Sequence, residues 1–579
     1  MTGTVLLQRS QAPHWLYFQN PLEIISTSDP TQIRPMLDEI EEKVNRHNLY
    51  AAGFIAYEAA SAFDPAMQVH PSASLPLLWF GLYYFPVEHH IPIAAKNTHT
   101  ISDWQPTIDQ TQYRQAIEHI KTCIGRGETY QVNYTIRLRA NFKGNPLSLF
   151  NSLIASQRSD YAAYIDTGST IICSASPELF FQRNGTTLVS KPMKGTAARG
   201  KTLVEDEQHH AWLHNSPKNR AENVMIVDMI RNDMGRVAQT GSVKVPQLFT
   251  VERYPTVLQM TSTVTAQTQA TTTEILAALF PCASITGAPK VRTMEIIKQL
   301  EPEPRGIYTG CIGYIAPNQQ AQFNVAIRTV SIDERSGLAE YGVGGGVVWD
   351  SMSEQEYEEC RLKARILTEA QPQFELLETL LWEPASGYFL RKKHLGRLND
   401  SAHYFSISFD HNQLINQLQS LAATFDRPHR VRLLVGSNGQ ITTQAVPFDP
   451  TPPSKSWRVA LASEPVDSNN IFLYHKTTHR QIYSDAKAAR PGFDDVILWN
   501  ERGQITEATI ANVVIQRGDK LFTPPIECGL LAGTYRASLL AQQKIREQII
   551  TIDDLKRSDR LYLINSVRKW IEAVFVSEQ

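Results

Sequence analysis

SPELFFQRNGTTLVSKPMKGT, residues 176–196, holds the pattern on which the fold turns. Two β-favouring arms, LFFQR and TTLVS, flank Asn184-Gly185, a pair suited to a type I′ hairpin turn. Pairing about that turn sets Glu178 opposite Lys191, with Lys194 about 10 Å further along at strand rise. An acid and an amine therefore leave one hairpin at its open end. A surface ion pair is the plain alternative. Against it stand Gly195, Thr196 and the basic Arg199, which make the stretch after Lys191 read as a loop.

Outward from the hairpin, the chain reads as a folded protein of more than one domain. Its 579 residues are 42% hydrophobic and 20% charged, which excludes disordered, collagenous and coiled-coil classes. At roughly 150 residues per domain the length suggests about four units, or fewer large ones. Lys and Arg total 56 against 58 Asp and Glu, and no local basic stripe is present. Neither a nucleic-acid nor a membrane partner is expected. Six scattered cysteines without metal spacing read as thiols. The opening MTGTVLLQRSQAPHW lacks a secretory pattern, and no apolar run approaches about 18 residues, so a cytoplasmic location is expected. Helical spacing appears at 36–47 (Leu37, Ile40, Val44) and 111–124 (Tyr113, Ile117, Ile120, Ile124), and PLLWFGLYYF reads as a buried strand. An acid-rich helix is expected at about 354–369. New strands and a helix at HLGRLNDSAHYF begin after residue 374, which places a boundary near 371 and domains at 1–370 and 371–579.

Further features of the first domain carry chemistry. Glu356 and Glu359 share one helical face, with Lys363 a turn beyond. Glu222 opens the helix AENVMIVDMIRND, whose apolar side is Val224, Ile226, Val227 and Ile230. Carboxylates from separate helices suit Mg²⁺, a hard ion that shares its remaining positions with substrate oxygens. The alternative is a solvated acidic helix. GVGGGVV (342–348) reads either as backbone that approaches an anion or as a tight strand crossing.

SPELF, KPMKGT, ENVMIVDMIRND, ITGAPKVRTMEII, RGIYTGCIGYI, FNVAIRT and GVGGGVVWDSMSEQEYEECRLKAR together resemble the chorismate-utilising enzymes, the group containing anthranilate synthase, isochorismate synthase and aminodeoxychorismate synthase component I. The resemblance implies an α+β or α/β fold of two facing antiparallel sheets with helices outside. It implies Mg²⁺ held by Glu222 and Glu359 with Glu356 beside them. Substrate contacts would come from Thr286, Gly287, Tyr308, Arg328 and the backbone at Gly344, Gly345 and Gly346. Lys194 in PMKGT resembles the aminodeoxychorismate synthases. Gln131 stands where isochorismate synthases carry a base lysine, and an amide cannot be that base. Gln259 stands where anthranilate synthase has a histidine linked to pyruvate loss. The implied reaction has Glu178 as acid for the departing C4 hydroxyl and Lys194 as covalent nucleophile at C2. Ammonia then adds at C4 to give 4-amino-4-deoxychorismate. No cysteine lies in a GxCxGxQ turn, so nitrogen is expected as free ammonia or from a separate glutamine amidotransferase.

In the second domain Lys476, Arg397 and Glu507 are each unremarkable alone. A pyridoxal phosphate site needs an amine to link to the cofactor, an acid for the pyridine nitrogen and cationic or N–H donors for the phosphate. HLGRL, Lys476 in FLYHKTTHR, GFDDVILWNERGQITEATIANV and GLLAGTYR resemble, in order, the fold-type IV pyridoxal phosphate enzymes: aminodeoxychorismate lyase and the D-amino acid and branched-chain aminotransferases. The resemblance implies Lys476, Glu507, Arg397, Gly533 and Thr534 as cofactor-binding residues, with Lys476 also catalytic. Tyr535 replaces a usual phosphate-binding threonine, a duty that Thr534 could take. The first domain selects a lyase that would release pyruvate and leave 4-aminobenzoate for folate. An aminotransferase-like or non-catalytic second domain, or an anthranilate-synthase-like first domain, are the alternatives. The purified chain is expected to use ammonium but not glutamine, and glutamate release from glutamine at a useful rate would contradict this.

Overall fold

A computed structural model describes residues 2–9, 15–72, 75–89, 99–157, 159–368, 372–449 and 456–576. The expected boundary near residue 371 lies at the edge of 369–371, outside the described residues. The chain divides into two units, one of 1–198 with 210–371 and one of 199–209 with 372–579. The second unit thus includes a short segment from within the first stretch of chain.

The first unit is built on two antiparallel sheets, of 11 and 10 strands among the described residues. Alternation along the strands gives each sheet two apolar faces. The inner faces meet in one cluster, with Val5, Phe18 and Ile165 from one sheet and Phe54, Trp79 and Ile312 from the other. Helices cover the outer faces. Pro30–His47 starts where the Asp29 carboxylate accepts the Thr31 N–H at 2.9 Å, and ends at Asn48 in left-handed geometry. It buries Ile33, Leu37, Ile40 and Val44, one apolar stripe at helical spacing. Pro217–Gly235 covers the same sheet. Glu222 lies inside this helix rather than opening it, and Val224 is exposed while Ile226, Val227, Ile230 and Met234 are buried. Gln110–Gly125 and Ser353–Ala364 cover the other sheet, the latter ending in a short 3₁₀ turn, Arg365–Leu367.

The hairpin differs from its sequence reading in two ways. Asn184 pairs with Thr187, so the turn residues are Gly185 and Thr186, and a bulge between Leu179 and Gln182 then sets Leu179 opposite Lys191. Lys191 meets Glu252 at 2.5 Å instead of Glu178. Met193–Ala198 is a strand, not a loop, paired with Val257–Gln267. Its register shifts between Met193 and Thr196, where Gly195 has φ +101. A bulge of this kind re-aims the neighbouring side chain, here Lys194.

Strand Leu338–Val347 contains the three consecutive glycines. It pairs with Gln131–Gly144, with Gly344 opposite Thr135 and Gly346 opposite Asn133. Its other edge is paired over Ala339–Tyr341, and among the described residues no strand pairs with that edge beyond Tyr341. A Cβ on Gly342 would overlap the Tyr308 ring, and one on Gly346 would overlap the ends of Lys194 and Gln131. The tight-crossing reading of GVGGGVV therefore holds in the structure.

In the second unit, strands Leu376–Glu383, His429–Val435 and Ile441–Pro447 carry Leu380, Val431 and Leu433 against helices Arg391–Tyr404 and His411–Ala422. A larger mixed sheet has Trp457–Leu461 parallel to both Asp495–Trp499 and Lys569–Phe575. No helix among the described residues is long and apolar enough to cross a membrane. Gly342→Ala should destabilise the first unit by about 1–3 kcal/mol through overpacking against Tyr308. The check is the urea midpoint of purified protein, and an unchanged midpoint would mean that Tyr308 moves aside without cost.

Candidate active sites in the two units

In the first unit the bulged strand, the glycine strand and helix Ser353–Ala364 surround a cavity of about 550 Å³. Glu178, Lys194, Glu222, Tyr308, Arg328 and Glu359 line it, as do Gly344, Gly346, Glu356 and Gln259. Residues far apart in sequence are thus brought to one wall. Glu178 is 2% exposed, and burial pushes its carboxyl up to about 7. The Ser284 hydroxyl donates to its Oε1 at 2.6 Å and works in the opposite direction. The Lys194 amine lies 3.9 Å from Glu222, and it and the Gln131 amide both reach the space that a Cβ on Gly346 would fill. Gln131 is fully buried, and neither of its amide atoms has a partner among the described residues. Burial lowers the Arg328 guanidinium from its usual range, and its Nη1 is likewise without a partner. A buried, incompletely satisfied guanidinium facing a cavity is suited to an anion.

The acidic residues sit on the same wall but do not form one cluster. Among the described residues no group of three His, Cys, Asp or Glu side chains is close enough to hold a metal. Glu356 and Glu359 flank Gly345, whose missing Cβ would lie 3.0 Å and 3.8 Å from their oxygens. Burial raises Glu356, helped by the negative charge of Glu359, while Lys363 at 2.7 Å holds Glu359 down. Lys363 also donates to the Gly344 carbonyl at 2.9 Å. Glu222 faces Lys194 instead. Thr286 and Gly287 are not among the residues that line the cavity. The Thr286 hydroxyl is turned to the Cys282 carbonyl at 3.1 Å, and Gly287 pairs with Val132. The 3₁₀ turn Ala283–Ile285 presents Ser284 and Ile285 to the cavity in their place. Arg199 is outside this site and pairs with Asp206 at 2.6 Å. Ser284 escaped the sequence reading because nothing local distinguishes its hydroxyl from a turn serine.

The second unit holds a cavity of about 440 Å³ lined by Lys476, Glu507, Arg397, Gly533, Thr534 and Tyr535, among others. Burial draws the Lys476 amine down to about 8, aided by Arg397 and Arg480. Burial likewise pushes Glu507 up to about 7, against hydrogen bonds from the Tyr483 hydroxyl at 2.7 Å and the Leu531 N–H at 3.2 Å. Arg397 makes a two-pronged contact with Glu378, 2.8 Å on each side, and donates to the Ala532 carbonyl. Burial works against ionising Glu378, but Arg397 and His394 outweigh it and hold the carboxyl at about 2. His394 reaches on to the Thr534 hydroxyl at 3.2 Å, where helix Thr534–Ala541 begins. Glu378 and His394 were missed in the sequence, although their spacing from Arg397 becomes meaningful only once strand and helix pack. Lys476, Glu507 and Arg397 have the amine, acid and cation that a pyridoxal phosphate site requires, so the donor set fits that group.

The first unit's fold defines the class of chorismate-binding enzymes, and the chain belongs to that family: residues 2–369 match the family described as chorismate binding enzyme. Residues 375–574 match the class IV aminotransferases. The chain is 42% identical over 254 residues to aminodeoxychorismate synthase component 1 of Bacillus subtilis, covering 44% of this chain and 54% of that protein. It is 41% identical over 260 residues to the Escherichia coli protein of the same name, covering 45% and 57%. The chain thus spans about half the length of the relatives it matches. Anthranilate synthase component I from Streptococcus pneumoniae superposes with a TM-score of 0.54 at 25% identity, over 64% of this chain and 93% of that one.

The raised Glu178 carboxyl gives a signed stability prediction. The folded state binds the proton more tightly than the unfolded chain, so this stability is full below the ordinary glutamate range and is lost as pH rises through about 7. Glu178→Gln should therefore stabilise the unit at pH 8 by up to about 3 kcal/mol and flatten the pH dependence of unfolding. Denaturant titrations at several pH values check this, and equal slopes in the two proteins would show that Glu178 is ionised throughout.

Proposed function

We propose that the chain makes 4-aminobenzoate from chorismate in two steps, amination in the first unit and pyruvate elimination in the second. The observation that carries this reading is the meeting of Glu178 and Lys194 in one cavity with the unsatisfied Arg328 guanidinium. An acid whose proton is held to about neutral pH can protonate the C4 hydroxyl of chorismate, which leaves as water. The Lys194 amine bonds to C2 as that C4–O bond breaks, and ammonia then bonds to C4 as the C2–N bond to Lys194 breaks. Arg328 and the Tyr308 hydroxyl hold a substrate carboxylate. Gln131 lacks the basicity to activate water beside Lys194, which keeps the site for a nitrogen nucleophile.

Mg²⁺, when bound, would fix the ring carboxylate and draw electron density from the diene. Glu356 and Glu359, which flank Gly345, would supply hard oxygen donors for it, while Glu222 faces Lys194. Ammonia arrives free or from a separate glutamine amidotransferase. The described cysteines are all unpaired and buried, which supports a reducing, cytoplasmic setting.

Pyridoxal phosphate, when bound in the second unit, supplies an electron sink for the substrate's amine carbon. Lys476 would carry it, Glu507 would face its ring nitrogen, and Arg397, Gly533 and Thr534 would hold its phosphate. An amine at about 8 can also move the C4 proton of aminodeoxychorismate near neutral pH. The two units would then share a pathway leading to folate.

The test supplies chorismate, ammonium, Mg²⁺ and pyridoxal phosphate to the purified chain and measures 4-aminobenzoate and pyruvate. Lys194→Ala should abolish synthesis from chorismate but retain conversion of supplied aminodeoxychorismate. Lys476→Ala should accumulate aminodeoxychorismate, and borohydride should fix the pyridoxyl label in FLYHKTTHR of the parent chain only. Wild-type rates in Lys194→Ala would sink the covalent step, and a label on another lysine would sink the cofactor site.

A further inference from the structure

We infer that Arg430 and Arg432 form an anion-recognising wall in the second unit's cavity, which selects an amine substrate bearing two carboxylates. The strand His429–Val435 alternates: Val431, Leu433 and Val435 are buried in the cluster under the helices, while Arg430 and Arg432 project from the opposite face into the cavity lining. Residues two apart on one strand face lie roughly 7 Å from each other. Arg432 stands between Thr379 and Gln444 on the neighbouring strands, so no acid is placed across from it.

The other cations of this cavity are already engaged. Arg397 grips Glu378, Arg480 donates to the Thr509 carbonyl and covers the Tyr483 ring, and Arg568 lies over Phe448 and Trp457. The guanidinium groups of Arg430 and Arg432 have no hydrogen-bond or ion-pair partner among the described residues. Five arginines and Lys476 line the cavity against a single acid among its described lining residues, Glu507. Such an excess is relieved by anions, and guanidinium groups grip carboxylates two-pronged. The phosphate side, at Arg397 and Gly533, accounts for one anion. A second anionic demand remains on the Arg430–Arg432 face. An apolar α-amino acid would set its hydrocarbon against these cations, whereas a cyclic amine with two carboxylates would satisfy both.

This assignment rests on the amine chemistry proposed above, but it is separable by experiment. Arg430→Met, Arg432→Met and the double variant would be prepared in the full chain with pyridoxal phosphate. Each single change should raise KM for aminodeoxychorismate roughly tenfold with kcat altered by no more than about twofold. A dicarboxylate without an amine, 3-(carboxymethoxy)benzoate, should perturb the visible cofactor band of the parent chain but not of the double variant. The monocarboxylate 3-ethoxybenzoate should perturb neither. Arginine-dependent binding of the dicarboxylate without turnover of aminodeoxychorismate would retain this wall and remove the proposed lyase step. Unchanged KM and probe binding in the double variant, or a parent-chain preference for leucine or D-alanine, would overturn the wall.

Discussion

The first unit depends on one steric constraint, the absence of side chains where strand Leu338–Val347 passes the cavity. The volume that a Cβ would fill at Gly342 is taken by the Tyr308 ring, and at Gly346 by the ends of Lys194 and Gln131. Glycine costs backbone entropy in a strand interior, and here that cost is offset by the convergence of an amine, an amide and a phenol from three different elements. Among the described residues the same stretch has no second neighbour strand beyond Tyr341. Close packing and chemistry are one arrangement at this point.

Electrostatics follow from that enclosure. Desolvation dominates Glu178 in the first unit and Lys476 and Glu507 in the second, and in each case it favours the neutral form. Both cavities therefore hold groups poised close to neutral pH, the condition under which a side chain can give and take a proton efficiently. Structural carboxylates behave differently. Glu378 is equally enclosed, yet the two-pronged guanidinium of Arg397 and the His394 ring keep it ionised at about 2. Burial alone does not decide protonation; the charge of the partner does, since Glu507 also accepts hydrogen bonds from Tyr483, Leu531 and Asn512 and is nevertheless pushed up.

The Glu378 arrangement also shows how the second unit builds its cavity from its own core. Strand Leu376–Glu383 places Glu378 against helix Arg391–Tyr404, and that carboxylate orients Arg397 and His394 together. His394 in turn meets Thr534 at the start of another helix. A buried ion pair adds little net stability because desolvation consumes the Coulombic gain. Its value here is geometric, since one carboxylate sets two cavity-facing elements at once.

Much of this was legible in the amino-acid sequence. Hairpin arms, helical stripes such as Leu37, Ile40 and Val44, and the glycine run follow from local periodicity and backbone freedom, which act over a few residues. The ordered motifs carried the family, and with it Glu178, Lys194, Lys476, Glu507 and Arg397 as candidates. Local pattern failed at the register of the hairpin, because the turn falls at Gly185 and Thr186 and a bulge between Leu179 and Gln182 shifts the arms, and it failed again at the irregularity between Met193 and Thr196. Thr286 and Gly287 are not among the residues that line the cavity, and the Thr286 hydroxyl is turned to the Cys282 carbonyl. Sequence by itself thus determined the elements and the kinds of chemistry available. Only tertiary structure decided which carboxyls are neutral, that Glu222 faces Lys194 while Glu356 and Glu359 flank Gly345, and that Ser284, Glu378 and His394 belong to the sites. Protonation and contact depend on burial and on partners brought in from other elements, such as Ser284 on Glu178 and Thr534 on His394, which no local stretch encodes.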